Sequence, residues 1–271
     1  VRETKIGFIG AGNMAASIIG GLISQGQPPA NVFASDLDAA KLAALATSTG
    51  LQAASNTEIA QQADVIVLAV KPQVMAAVCQ ELAASLGERR PLLISIAAGI
   101  NLSALTGWFG SDASLVRCMP NTPALVGSGA SGLFANPQVD SGQREIANAL
   151  MGAVGLALWV DTEAQIDSVT ALSGSGPAYF FLMLEAMQDS AVKLGLSAKV
   201  AKALSYQTAL GAAQLALASS ETTEQLRRNV TSPNGTTERA INAFEDGDLR
   251  GLVDSALKAA HARSIELAEE N

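Results

Sequence analysis

Short apolar runs rich in β-branched residues recur up to about residue 160, separated by Ala-rich stretches of helical period. Lys5–Ile9, Val32–Ser35, Val65–Ala69, Leu92–Ile96, Leu115–Met119 and Leu156–Val160 have the length and composition of strands covered on both faces. Met14–Ser24, Ala39–Ser48, Pro72–Leu86 and Gln143–Val154 read as helices between them, while Leu51–Ala54 and Gly127–Phe134 fit either pattern. Strand and helix in alternation predict a parallel α/β sheet.

Beyond Asp161 the strand-like runs stop and helical periods take over. Pro177 suits the first turn of a helix running to about Leu194, after a break at Ser173-Gly174-Ser175-Gly176, and Ser197 can cap a second running to about Ala218. Asp248 is the expected cap of a third, in which Leu249, Leu252, Val253, Ala256, Leu257 and Ala260 form one apolar face. The boundary therefore falls near 160–163, with one domain over residues 1–161 and an all-α domain over residues 162–271. Ala209, Ala212, Ala213, Ala216 and Ala218 let helices approach closely, yet so small a helical domain buries little by itself. A second subunit is the natural cover, which predicts a homodimer or a higher homo-oligomer.

The remaining composition narrows the function. Of the 271 residues 49% are hydrophobic, but no apolar run approaches the ~20 residues of a membrane span. Val65–Val70, bounded by Asp64 and Lys71, has the length of a buried strand, so no membrane partner is expected. Val1–Lys5 lead straight into a strand, with no room for a secretory leader, so a cytoplasmic location is the expectation. A formal charge of −8, with Arg89-Arg90 and Arg227-Arg228 as the basic pairs, argues against nucleic acid. Cys79 and Cys118 sit in apolar segments and read as buried thiols. The one histidine, His261, lies in a C-terminal helical pattern and reads as a surface position, so neither a His-based metal site nor a Ser-His-Asp triad is expected.

Gly10-Ala11-Gly12-Asn13-Met14-Ala15 follows a strand and opens a helix, matching the G-x-G-x-x-G/A pattern of a Rossmann-like dinucleotide-binding domain with Ala15 in the third position. Gly10 permits the tight turn, Gly12 lets a pyrophosphate approach the backbone, and the helix start supplies N–H donors. The second strand ends at Ser35-Asp36, where an acidic residue favours the free ribose hydroxyls of NAD; Ser35 could donate to either dinucleotide.

A second helix start lies far downstream. Leu226 and Val230 precede the loop Thr231-Ser232-Pro233-Asn234-Gly235-Thr236-Thr237, and Ala240-Ile241 and Phe244-Glu245 follow it. This arrangement resembles the C-terminal signature of pyrroline-5-carboxylate reductases. Asn56, Ala69-Val70-Lys71-Pro72, Ala97-Ala98-Gly99, Met119-Pro120-Asn121-Thr122-Pro123 and Ser173–Tyr179 match the same family in order, so the resemblance spans the chain. Departures are Ala15, Asn234 where a second glycine is common, and a connection between Ala218 and Leu226 that is about a residue short.

The resemblance implies an α/β Rossmann-like domain followed by an all-α dimerisation domain, and hydride transfer from NADPH to the C=N carbon of a cyclic imine carboxylate. It implies cofactor contacts at Ile9, Gly10, Gly12, Asn13, Met14, Ser35, Asp36, Asn56, Ala69, Val70, Lys71, Pro72, Ala97, Ala98, Gly99 and Asn121, the last four near the nicotinamide. It places the substrate against Val230, Ser232, Asn234, Gly235, Thr236 and Thr237, with Thr237 beside the ring nitrogen as the catalytic position. Glu221 would accept from the protonated ring nitrogen, from the same or a neighbouring subunit. The family commonly uses NADPH and also accepts NADH, which conflicts with the simple reading of Asp36. The two agree if the Asp36 carboxylate turns to solvent, and NADPH is the expectation on that basis.

An imine can be reduced in its protonated form, so orientation does most of the work and no strong general acid is required. The alternatives are a hydroxyacid or 6-phosphogluconate-type dehydrogenase, which would need a catalytic lysine such as Lys193, Lys199 or Lys202, a related imine reductase, or a non-catalytic dinucleotide sensor.

Overall fold

The structure is a computed structural model that describes residues 3–270. It divides into two compact units, one formed by the chain up to Pro177 together with the segment from Ala259 onward, the other by Ala178–Lys258.

The first unit is built on an eight-stranded sheet. Its strands are β1 (Ile6–Ile9), β2 (Val32–Ser35), β3 (Gln52–Ala53), β4 (Val65–Leu68), β5 (Leu92–Ser95), β6 (Leu115–Met119), β7 (Gly129–Ala135) and β8 (Gly155–Trp159). Their order is β3-β2-β1-β4-β5-β6-β7-β8. The first six run parallel, β7 runs antiparallel to β6, and β8 runs parallel to β7. The expectation of a parallel sheet therefore fails at its last two strands. Pro120–Ser128 is shorter than the roughly dozen residues a parallel crossover needs, so the chain turns back on itself.

Helices α1 (Asn13–Ser24), α2 (Ala39–Thr49), α3 (Asn56–Gln62), α4 (Pro72–Leu86), α5 (Leu102–Phe109) and α6 (Ser141–Gly152) connect the strands. All four residues of β1, β2, β4 and β5 are buried, as sandwiching between two helical layers requires. Alternate positions feed opposite faces. Val65 and Val67 join a cluster with Phe8, Ile18, Ile19 and Leu150. Ile66 and Leu68 join another with Ile59, Met75, Leu82 and Leu105. Burying each such side chain contributes roughly 1.5–3 kcal/mol.

Helices α3 and α5 are among those not expected from periodicity, because both are short. Their starts are nevertheless written locally. Ser55 and Glu58 form a reciprocal capping box on α3, and the Asn101 side chain accepts from the Ala104 N–H on α5. The break expected at Ser173–Gly176 takes the form of a π-turn and a bend. Helix α7 (Gln165–Val169) widens into a π-turn over Thr170–Gly174, with the Ser175 N–H bonded to the Thr170 carbonyl at 2.8 Å, and α8 (Gly176–Lys193) starts after the bend at Ser175.

The second unit holds most of α8, all of α9 (Ala198–Ala218), α10 (Thr223–Asn229) and α11 (Thr236–Asp246), and the start of α12 (Leu249–Glu269). The Ser197 side chain caps α9 through the Val200 N–H, and Asp248 caps α12 through the Gly251 N–H at 3.2 Å. Within this unit Ala201 and Ser205 are buried, whereas Phe180, Phe181, Leu182, Leu204, Leu210, Leu217 and Leu252 are exposed. The end of α12 belongs to the first unit, where His261 is half-buried rather than a surface position.

Candidate functional site

Because β1, β2, β4, β5 and β6 run parallel, their carboxyl ends place five turns along one edge of the sheet, the edge at which open α/β sheets bind ligands. The turn after β1 is the glycine loop. Gly10 has φ +96°, and a Cβ there would lie 2.8 Å from the Ala69 carbonyl oxygen, so a side chain is excluded by both conformation and contact. Its N–H donates to the Ser35 carbonyl at 2.9 Å, tying the loop to β2. Gly12 is the N-cap of α1, with no atom within 4 Å of where a Cβ would stand, no side-chain cap and no acidic residue in the first turn. Ile9 is buried beneath, with Asn13 exposed and Met14 half-buried. An open glycine followed by uncapped N–H groups fits a pyrophosphate.

Asp36 departs from expectation. Its carboxylate does not turn to solvent but accepts from the Ala11 N–H at 2.8 Å and the Asp38 N–H at 2.9 Å, with the Lys41 ammonium 3.6 Å away. Burial alone would raise its pKa; the two backbone N–H groups and Lys41 outweigh burial and hold it below the ordinary value. A fixed anion thus stands against the glycine loop. Ser35 donates its hydroxyl to the Asn56 side-chain oxygen at 2.6 Å, which brings two expected cofactor residues together.

The remaining turns follow the same edge. Ala69 and Val70 are half-buried, and the Ala69 N–H donates to the Ile9 carbonyl at 2.8 Å. Exposed Lys71 is the N-cap of α4, with Pro72 in its first turn. Ala97 and Gly99 are buried and Ala98 half-buried. Asn121 is buried, its amide donating to the Ser173 carbonyl at 2.9 Å and its oxygen accepting from the Ala130 N–H at 2.8 Å. Its side chain therefore braces the turn after β6, leaving backbone and neighbours to meet a ligand.

In the second unit, residues 230–235 join α10 to α11. The Thr231 hydroxyl donates to the Arg227 carbonyl at 2.6 Å, and the Gly235 N–H donates to the Ser232 carbonyl at 3.0 Å, closing a turn. Asn234 has φ +60°, which explains both why glycine is common at this position and why asparagine serves. The Asn234 N–H donates to the Glu238 carboxylate at 2.8 Å. Gly235 is the N-cap of α11, again without a side-chain cap, and a Cβ on it would meet the Ser232 hydroxyl oxygen at 2.7 Å. Thr236 and Thr237 occupy the first turn, Thr237 half-buried, while Val230 and Ser232 are exposed. Glu221 precedes α10 and accepts from the Asn229 amide at 2.8 Å, so its carboxylate is tethered to the helix end nearest the loop.

Sequence reasoning missed a buried charge cluster of Arg117, Glu163 and Asp167, although an arginine inside Leu115-Val116-Arg117-Cys118-Met119 is a legible signal. Among the described residues no group of three or more His, Cys, Asp or Glu is placed to hold a metal ion, and no helix is long and apolar enough to cross a membrane.

The chain is 57% identical over 267 residues to a pyrroline-5-carboxylate reductase of Pseudomonas aeruginosa, covering 98% of this chain and 97% of that protein. It belongs to the pyrroline-5-carboxylate reductase family. A solved reductase of this family from Coxiella burnetii superposes with a TM-score of 0.94 at 46% identity, covering 98% of each chain. One from Plasmodium falciparum, with NADP bound, superposes with a TM-score of 0.87 at 32% identity, covering 99% of each. Residues 163–267 match the family model described as pyrroline-5-carboxylate reductase dimerisation, and residues 5–99 match that described as NADP oxidoreductase, coenzyme F420-dependent. Members of the reductase family are nicotinamide-dependent oxidoreductases acting on a cyclic imine, and the chain carries their dimerisation domain.

Proposed function

We propose that this chain transfers a hydride from NADPH, with NADH also accepted, to the C=N carbon of L-1-pyrroline-5-carboxylate, giving L-proline, in the cytoplasm and as a homodimer or larger homo-oligomer. The choice of NADPH is supported by the NADP-bound relative and not by Asp36, whose inward carboxylate favours NADH. Residues 1–161 are assigned to the dinucleotide and residues 162–271 to substrate and assembly. The observation that carries the reading is a pair of glycine-capped helix starts, Gly12 on α1 and Gly235 on α11, both lacking a side-chain cap, one suited to a pyrophosphate and the other to a carboxylate.

The bound dinucleotide supplies the hydride. Gly10, Gly12, Asn13 and Met14 hold its pyrophosphate, and the turns at Ser35-Asp36, Asn56, Ala69–Pro72, Ala97–Gly99 and Asn121 orient the rest. The N–H groups at the start of α11, with the Ser232 and Thr237 hydroxyls, hold the substrate carboxylate. Thr237 stands beside the ring nitrogen and relays a proton to it from solvent, so carbon gains the hydride and nitrogen the proton; Glu221 accepts a hydrogen bond from that N–H. Orientation into near-attack geometry lowers most of the barrier. Lys193, Lys199 and Lys202 are exposed, and none supports the dehydrogenase alternative.

The test is steady-state oxidation of NADPH and NADH with pyrroline-5-carboxylate against a panel of 3-hydroxyacids run in the oxidative direction. Turnover with the imine alone, unchanged by EDTA, is expected. Turnover of a hydroxyacid, or activity lost to EDTA and restored by zinc, would sink the reading.

A further inference from the structure

Arg117 lies on β6 at 4% exposure, with its guanidinium 3.2 Å from the Glu163 carboxylate and 3.3 Å from that of Asp167. Neither carboxylate stops there. Glu163 accepts the N–H of Leu102, the first residue of α5, at 2.7 Å. Asp167 accepts the hydroxyl of buried Ser264, on the end of α12, at 2.8 Å, through the same oxygen that faces Arg117. Replacing a buried ion pair by apolar packing is often neutral or stabilising, so stability by itself does not account for the cluster. Two of its four ties lead to the turn that joins β5 to α5, Glu163 reaching the first residue of α5 and Asp167 the end of α12 that meets this turn.

That turn is held at three points. Beneath it the Ala97 N–H meets the Ser95 hydroxyl at 3.4 Å, and at its far end Asn101 caps α5. Over it lies the last turn of α12: a Cβ on Gly99 would stand 3.0 Å from the Leu267 carbonyl oxygen and 3.1 Å from the Leu267 Cβ. Gly99, at φ +72°, is thus glycine both for its conformation and for the helix end seated against it. Ser264 lies one helical turn before Leu267, so the Asp167–Ser264 bond sets how deeply that end sits.

We infer that Asp167, held between Arg117 and Ser264, is a positioning residue for hydride transfer, fixing the Ala97–Gly99 turn by seating α12 on it. The inference rests on the proposal that this turn receives the nicotinamide. Asp167 touches no reacting atom and acts only through the turn. Because hydride transfer is steeply sensitive to distance, a displacement of the turn lowers the chemical step and spares the adenine end of the dinucleotide.

The experiment uses the full chain with NADPH, NADPH deuterated at the transferred C4 position, and ADP-ribose as a probe of the adenine half. Ser264→Ala and Asp167→Ala should lower kcat by roughly 5- to 50-fold and raise the deuterium isotope effect on kcat, with ADP-ribose affinity changed by less than about twofold, since a misplacement near 1 Å can cost 10²-fold. Asp167→Asn keeps the oxygen that both partners use and leaves Arg117 paired with Glu163, so it should retain kcat within about threefold. If Asp167→Ala does not fold, Ser264→Ala decides. Unchanged kcat in Ser264→Ala, a fall with no rise in the isotope effect, or a parallel loss of ADP-ribose binding overturns the inference. Wild-type turnover, measured in the same series, reports on the functional reading separately.

Discussion

The two units bury their apolar residues to opposite degrees. In the first, alternate positions of each central strand enter two separate clusters, and Phe8, Ile18, Ile66 and Leu82 lose all contact with solvent. In the second, which carries the carboxylate loop, Phe180, Phe181 and Leu182 are 70%, 64% and 67% exposed and Leu217 is 87% exposed. The first unit closes its two central clusters within the single chain. The second leaves its largest apolar side chains uncovered, and it lies within the segment that matches a dimerisation domain. If, as proposed, the first unit takes the dinucleotide and the second the substrate, the substrate site lies on the unit with the uncovered apolar surface, and assembly and catalysis are expected to fail together.

The strongest way to break this comparison is Phe181→Asp. A carboxylate left unpaired in a covered interface costs about 3–5 kcal/mol, so sedimentation at micromolar concentration should shift from an oligomer of at least two chains to monomer, with activity lost. A fully active monomer, wild type or variant, would refute the assignment of the second unit to assembly. Next in size is Thr237→Ala, which should lower kcat/KM by roughly 10- to 1,000-fold, about 1.4–4 kcal/mol, while dinucleotide affinity stays the same. Equal loss of both would move the 231–237 loop to the cofactor side.

Asp36→Ala probes the first unit alone. With its carboxylate fixed toward the glycine loop, removal should swing the NADPH/NADH ratio of kcat/KM toward NADPH by more than about tenfold, or ~1.4 kcal/mol. A smaller swing would mean that the bound ribose sits clear of this carboxylate. The same group predicts a pH effect. Its folded pKa is depressed below 3.8, so its stabilisation is present above that value and fades as pH falls through the folded value. The stability gap between wild type and Asp36→Ala should close on acidification below about pH 4 and stay level above it. The smallest expected effect is a null one. Burial pushes the Cys79 and Cys118 thiols up to about 12, so iodoacetamide at pH 8 should leave both unmodified until denaturant opens the first unit. Rapid labelling of the native protein would show that this unit is less closed than its core implies.

Six of the eight strands were legible as short apolar runs, while β3 and β7 fell in segments that fit either pattern, and the glycine loop was legible because few residues tolerate its backbone. Capping signals at Ser55 and Asn101 also marked α3 and α5, but helices this short give too few periods to register. The reversal at β7 was not legible, because direction depends on the length of a connection whose ends cannot be fixed from apolar content alone. Site residues were legible as types at motif spacing; their states were not. Asp36 was visible as an acid after β2, but whether its carboxylate met solvent or the Ala11 N–H was decided by a contact 25 positions away. Asn121 was visible in its motif, but its commitment to Ser173 and Ala130 was not.

By itself the sequence determined the alternation of strand and helix, the two glycine-capped helix starts and the family, because each is written in local periodicity, backbone tolerance or ordered motifs. Tertiary structure alone decided the inward turn of Asp36, the bracing by Asn121 and the joining of Arg117, Glu163, Asp167 and Ser264. Each of these brings together groups far apart along the chain, and a polar group's partner depends on which distant backbone the fold delivers to it.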